Sequence, residues 1–390
     1  MNCVSIFQQL YKIEPQDESF CSYRVCPIGA HIDHQQGKVT GLAIDKGVTI
    51  TYAPMQNGVV ELISMQFEKR AQFHVLAVPR RRQNDWADYL RGATIALGEK
   101  YRLSVGLCGV INGSLPIGGL SSSAAVTISF ITALAKVNGI FLSQSELINL
   151  ALTAENEYVG VSCGKLDQSC EVLSKKDNLL YLDTADDSYE LIPAKSSMKP
   201  YKIAVFFSGL ERSLVGSKYN MRIDECKSAA YALKAFSSME YGKIKETSLR
   251  DIPYEVYLKY KDRLPDNWRK RAEHYYTEFD RVERGVKAWR NGDIELFGKL
   301  SFESGLSSIE NYEAGSPELI SLYEIMRTTD GIYGGRFSGA GFKGCCMALI
   351  DPTFEERILT SVEEKYLKLY PNLKGRFSSH ICNSSDGVNL

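Results

Sequence analysis

Residues 115–125 read Leu115-Pro116-Ile117-Gly118-Gly119-Leu120-Ser121-Ser122-Ser123-Ala124-Ala125. Glycine lets a backbone approach an anion closely, and three successive serines supply hydroxyl donors and an oxygen that a hard cation accepts. An apolar-periodic stretch follows at once. The serines therefore stand where a helix presents unpaired N–H groups and the positive end of its dipole. That chemistry suits the phosphates of a nucleoside triphosphate. A Ser-rich helix cap behind a tight glycine turn would read the same in this segment alone. The Walker pattern, two glycines separated by four residues and then Lys and Ser or Thr, is absent; residues 160–165 fall one residue short of it, and Leu166 replaces the hydroxyl residue.

The elements that must position this loop are legible around it. Residues 107–111 read as a strand leading in. Residues 121–138 place apolar side chains at Val126, Ile128, Phe130, Ile131, Leu134 and Val137, with Gly139 as the stop, which predicts a largely buried helix leading out. Short β-like runs at 39–44, 48–52 and 59–63 are separated by Gly and Asn-Gly turn signals. Residues 86–97 read as a helix. So do residues 143–159, where Ser143 and Glu146 form a capping box. The polar stretch 184–199 predicts a boundary between two domains, 1–195 and 196–390. Beyond it, 203–207 reads as a buried strand, 219–236 and 274–291 as long helices, and 338–344 as a second Gly-rich turn before a strand at 347–350.

Bulk properties exclude several classes. A chain of 390 residues suits two domains better than one core. Its 44% hydrophobic and 24% charged residues are those of an ordinary globular protein. A net charge of −1 gives no basic excess for nucleic acid, and Arg80-Arg81-Arg82 reads as a solvated loop. The ten cysteines form no CxxC pair, which argues against zinc and for reduced, mostly buried thiols. No signal pattern begins the sequence, and no apolar run approaches the ~20 residues that span a bilayer. These features predict a cytoplasmic protein with no membrane partner.

Three spaced segments carry a resemblance. Residues 24–37 contain Arg24, Cys26-Pro27-Ile28-Gly29-Ala30-His31-Ile32-Asp33-His34 and Gly37. Residues 115–125 form the loop above. Residues 335–345 contain Ser338-Gly339-Ala340-Gly341-Phe342-Lys343-Gly344. In this order they resemble the three motifs of the GHMP kinases, specifically the galactokinase branch. Glu155, Cys163-Gly164-Lys165-Leu166-Asp167-Gln168, Trp86-Ala87-Asp88-Tyr89, and Lys218-Tyr219 with Arg222 also resemble galactokinase segments, so the likeness runs from about residue 20 to the C-terminus.

The resemblance implies a two-domain α+β GHMP kinase fold with the active site in the interdomain cleft. It implies transfer of the ATP γ-phosphoryl group to the anomeric hydroxyl of a galactose-type sugar or sugar acid. Asp167 and Arg24 match its catalytic positions, and Ser123 and Glu155 its Mg2+ positions. Ala30, His31, Asp33, His34, Gly164 and Tyr219 match positions at the sugar. Trp86 matches a position beside the adenine, and Gly118, Gly119, Leu120, Ser121, Ser122, Ser123, Ala124, Gly339 and Gly341 match positions at the ATP phosphates. Asp167 would accept or orient the hydroxyl proton, and Arg24 would stabilise the transferring phosphoryl group. Asp33 suits a bidentate contact to two adjacent hydroxyls.

One departure bears on substrate. Galactokinases carry glutamate where this chain has Ala30, and that glutamate contacts the C6 hydroxyl. A carboxylate at C6 would instead be repelled by it, by about 4 kcal/mol for charges ~4 Å apart at an effective dielectric of 20. The Ala30 change and the string around it are similar to the galacturonokinase branch, which implies galacturonate as substrate, with galactose as the alternative. His34 (Tyr in the family), Lys165 and Lys343 (Ile and Gly there) are candidate positive charges for such a carboxylate. A non-catalytic sugar- and ATP-binding regulator would be expected to lack one of Arg24, Ser123, Glu155 and Asp167, and all four are present.

Overall fold

The computed structural model describes residues 3–210, 217–240 and 242–389. Its strands are β1 (Asp17–Val25), β2 (Lys38–Met55), β3 (Val59–Ser64), β4 (Ala71–His74), β5 (Gly106–Gly113), β6 (Asn178–Asp183), β7 (Tyr189–Pro193), β8 (Lys202–Phe207), β9 (Ile332–Phe337), β10 (Cys345–Ile350) and β11 (Ser378–Cys382). The α-helices are α1 (Cys3–Tyr11), α2 (Asp88–Lys100), α3 (Ser122–Val137), α4 (Gln144–Thr153), α5 (Leu166–Leu173), α6 (Ser217–Phe236), α7 (Tyr254–Tyr260), α8 (Asp266–Asn291), α9 (Ile294–Glu310), α10 (Pro317–Arg327) and α11 (Glu355–Leu369). The mixture is α+β, as the sequence predicts.

Two sheets organise the chain. The first runs β4-β3-β5-β2-β6-β7, with β1 also paired to β2; the second runs β11-β8-β10-β9. All pairs are antiparallel except β3 with β5. Helix α3 packs on β1, β2 and α2, and α9 packs on α8 and β9. On α3 the expected apolar face is buried at Ile128, Phe130, Ile131 and Leu134, and Gly139 ends the helix in the left-handed region at φ +67°.

Several sequence boundaries move. The runs 39–44 and 48–52 are one continuous strand, not two joined by a turn. Gly47 lies within it, where a Cβ would stand 2.1 Å from the Cys21 carbonyl oxygen, so its glycine serves close strand packing beside a register shift between Ser22 and Tyr23. Helix α4 starts on the expected Ser143–Glu146 capping box, but after Thr153 the chain widens into a π-helical turn, Ala154–Val159. The polar stretch 184–199 is not simply a linker, because it contains β7, which pairs with β6. Helix α8 begins at Asp266, eight residues before the apolar periodicity indicated, behind Pro265. All ten cysteines are free thiols.

Candidate active site

The phosphate loop is shaped by what its residues cannot do otherwise. Gly118 and Gly119 adopt φ of +137° and +89°. A Cβ on Gly119 would stand 2.6 Å from Cys345 Sγ and 3.0 Å from the Ser338 carbonyl oxygen; a Cβ on Gly118 would stand 3.0 Å from Gly344 Cα. The two Gly-rich loops therefore meet backbone to backbone. Ser121, at φ +57°, precedes α3 without capping it, and its buried Oγ has no hydrogen-bond partner. The first turn of α3 is left open to an anion.

Two cavities meet at that helix end. The outer one, about 660 Å³, is lined by Phe67, Trp86, Tyr89, Ser122, Ser123 and Arg376 among others. Trp86 stacks on Phe67 with centroids 6.0 Å apart and donates its indole N–H to the Lys69 carbonyl at 2.6 Å. Asp88 fixes the turn before it by accepting from the Gln83 and Asn84 amides. This wall is apolar and flat, as a planar base requires. The inner cavity, about 500 Å³, is lined by Arg24, Ala30, His31, Asp33, Ser121, Ser123, Glu155, Asp167, Tyr219, Gly339 and Lys343 among others. Tyr89 and Ser123 line both.

Arg24, at the end of β1, reaches Asp167 in the first turn of α5. Its Nε and Nη2 donate to Oδ1 at 2.8 and 2.6 Å, and its Nη1 donates to the Gly119 carbonyl at 3.2 Å. One guanidinium thus ties the Asp167 carboxylate to the Gly-rich loop at Gly119. Glu155 sits on the π-helical turn, 4% exposed, and accepts from Gln168 Nε2 at 2.6 Å and from Cys163 Sγ at 3.5 Å. Asp33 accepts from the Leu166 amide at 3.4 Å. Burial, then the nearby Asp167, push its pKa from 3.8 up to about 6. His31 is strained at φ +67°, packs 4.3 Å from the Tyr312 ring, and leaves its buried Nε2 without a partner. Burial, with the neighbouring Arg336, holds it neutral by pushing its pKa well down.

Some expected residues stand elsewhere. His34 is not on the cavity wall: Nε2 meets the Tyr312 hydroxyl at 3.1 Å and Nδ1 faces the Gln35 amide at 3.1 Å. Burial lowers its pKa to about 3, so the expected positive charge there is corrected to a neutral ring. Lys165 turns away to Asp187 at 2.6 Å. Gly164 lies behind Asp33, where a Cβ would meet Oδ2 at 2.3 Å. Leu120 and Ala124 are buried in the core. Gly341 faces Ala314 and His31 within the loop packing. Conversely, Phe67 and Arg376 line the outer cavity with no motif to announce them, and Lys218, beside the expected Tyr219, lines the inner one.

Comparison with known proteins bears on this geometry. The model of the GHMP kinases N terminal domain matches residues 88–175, and that of the GHMP kinases C terminal matches residues 286–368. A galacturonokinase of Arabidopsis thaliana is 39% identical over 94% of this chain and 92% of its own length. The chain belongs to the GHMP kinase family. Within that family, a galactokinase of Roseiflexus is 32% identical over 98% of this chain and 95% of its own. Lactococcus lactis galactokinase complexed with galactose superposes with a TM-score of 0.89 at 26% identity, covering 99% of this chain and 98% of that one. The GHMP fold accounts for the meeting of the three motifs around one cleft. Among the described residues no helix is long and apolar enough to cross a membrane.

Proposed function

We propose that this chain is an ATP-dependent sugar 1-kinase whose acceptor is galacturonate. The observation that carries the substrate is Ala30, a small apolar residue on the wall of the inner cavity beside His31, Asp33 and Tyr219. A carboxylate at the Ala30 position would repel a C6 carboxylate, and alanine does not. The relative named galacturonokinase is 39% identical, against 32% for the Roseiflexus galactokinase.

In this reading Asp33 accepts hydrogen bonds from two sugar hydroxyls and Asp167 receives or orients the anomeric proton. Arg24 holds Asp167 at 2.6 Å and presents its charge to the transferring group. The uncapped end of α3 and the glycines at 118 and 119 receive the phosphates, and Trp86 with Phe67 receives the base. The residues fit magnesium: Ser123 and Glu155 offer hard oxygens on the same cavity wall. Bound there, the cation would supply charge neutralisation for the triphosphate. The same reading divides the chain near residue 195, between β7 and β8, and makes the protein a cytoplasmic enzyme.

The test is ADP release over galacturonate, glucuronate, galactose and N-acetylgalactosamine. Galacturonate is expected to give the highest kcat/KM. A clear preference for galactose would remove the uronate and leave a galactokinase. ATP binding without ADP release for any sugar would mark a non-catalytic regulator.

A further inference from the structure

The inner cavity's charged wall is formed by Arg24, Asp33, Glu155, Asp167, Lys218 and Lys343. Three anions and three cations balance before any substrate enters. Arg24 is already committed to Asp167 and to the Gly119 carbonyl. Neither lysine forms an ion pair among the described residues. Lys165, the other lysine singled out by sequence, is paired outside the cavity with Asp187.

The phosphate end of the cleft has the open turn of α3, three serines and Arg24 to receive negative charge. The first motif, at the sugar end, has no such provision. Ala30 is apolar, His31 and His34 are held neutral by burial, and Asp33 is an acid. An acidic sugar seated there would meet Asp33 and Asp167 with no counter-charge from the first motif.

Loop 338–344 reaches across this gap. At one side it lies on the phosphate loop, where a Cβ on Gly339 would stand 2.9 Å from Gly119 Cα and one on Gly344 would stand 2.7 Å from the Gly118 carbonyl carbon. At the other, a Cβ on Gly341 would stand 3.6 Å from His31 Cε1. Lys343 lies between these anchor points, exposed and on the cavity wall. Close packing at Gly341 and Gly344 holds the backbone on either side of it, and a lysine side chain is a flexible four-carbon stem ending in a point charge.

We propose that Lys343 is the counter-ion that reads the carboxylate of the acidic sugar, supplying from the third motif the charge that the first motif lacks. This rests on the uronate reading and adds to it: the removal of repulsion at Ala30 permits the substrate, and Lys343 selects it.

The experiment measures kcat/KM for galacturonate and for galactose, and KM for ATP, in the full chain and in Lys343→Met, Lys343→Arg and Lys218→Met. Lys343→Met is expected to lower the galacturonate-to-galactose ratio by about tenfold or more, through KM for galacturonate, as the loss of one charge-assisted contact does. Lys343→Arg is expected to restore most of the ratio, and KM for ATP to stay within about twofold. An unchanged ratio overturns the proposal. An equal loss on both sugars with a raised KM for ATP also overturns it, by placing Lys343 on the phosphates. A loss confined to Lys218→Met overturns it in favour of the other lysine. If the unmodified chain does not phosphorylate galacturonate, the uronate reading itself fails, and that is seen before any variant is made.

Discussion

Asp33, proposed to hold the sugar, is a residue whose burial works against the fold. A carboxyl whose pKa rises to about 6 on folding disfavours the fold above its ordinary value, because the unfolded chain ionises first as pH rises from about 4. Under the proposed function, the form that would accept sugar hydroxyls is the carboxylate, which is lost as pH falls through about 6. The pH profile of kcat/KM is therefore expected to show an acid limb near 6. Asp33→Asn is expected to lose sugar affinity while its melting temperature at pH 7.5 is not lowered; a large fall in melting temperature would contradict the desolvation argument. Ala30→Glu belongs to the same scale. It is expected to depress kcat/KM for galacturonate by up to about a thousandfold, the equivalent of about 4 kcal/mol, and to spare galactose. Equal loss on both sugars would point to a steric effect at this buried position.

At the scale of elements, the site depends on two loops that interlock through glycine. Gly119 holds φ +89° with Cys345 and Ser338 against the face where a side chain would stand. Gly119→Ala is expected to cost about 1–3 kcal/mol of stability from backbone strain alone and to raise KM for ATP, because the loop must retreat from its partner. Thermal unfolding and ATP titration check both; an unaltered melting temperature would refute the interlock. The π-helical turn at Ala154–Val159 is the other local device. It interrupts the line of α4, and Glu155 on it meets Gln168 at 2.6 Å. Sequence periodicity reads this segment as plain helix, since one extra residue in a turn leaves no compositional mark.

At the scale of the molecule, the last described residues leave the second sheet and return to the first. Beyond β11, the Ser385 amide donates to the Ala43 carbonyl at 3.0 Å, the Gly387 amide to Ser174 at 2.9 Å and the Val388 amide to Glu171 at 2.7 Å. Ser22 and Lys176 bond to Asp386. The strap thus covers α5, the helix that carries Asp167. It also seals Glu171, whose carboxyl is pushed well up by burial and by Asp167. Truncation after Cys382 is expected to cost a few kcal/mol, at about 0.5–1.5 kcal/mol per lost hydrogen bond, and to lower kcat for every sugar alike. A selective effect on one sugar would show that the strap does more than hold α5.

The sequence by itself determined the three motifs, the helix that follows the phosphate loop, the capping box at Ser143 and the family they belong to. Those signals are local: a glycine that needs a positive φ, a run of serines before an apolar helix, a Ser three residues before a Glu. Tertiary structure alone decided which charges face the cleft. His34, Lys165 and Lys343 read alike as candidate cations. Folding buries the first until it is neutral, pairs the second with Asp187 and leaves the third on the cavity wall. Sequence spacing cannot carry that distinction, because a side chain's charge and direction are set by neighbours brought from distant parts of the chain.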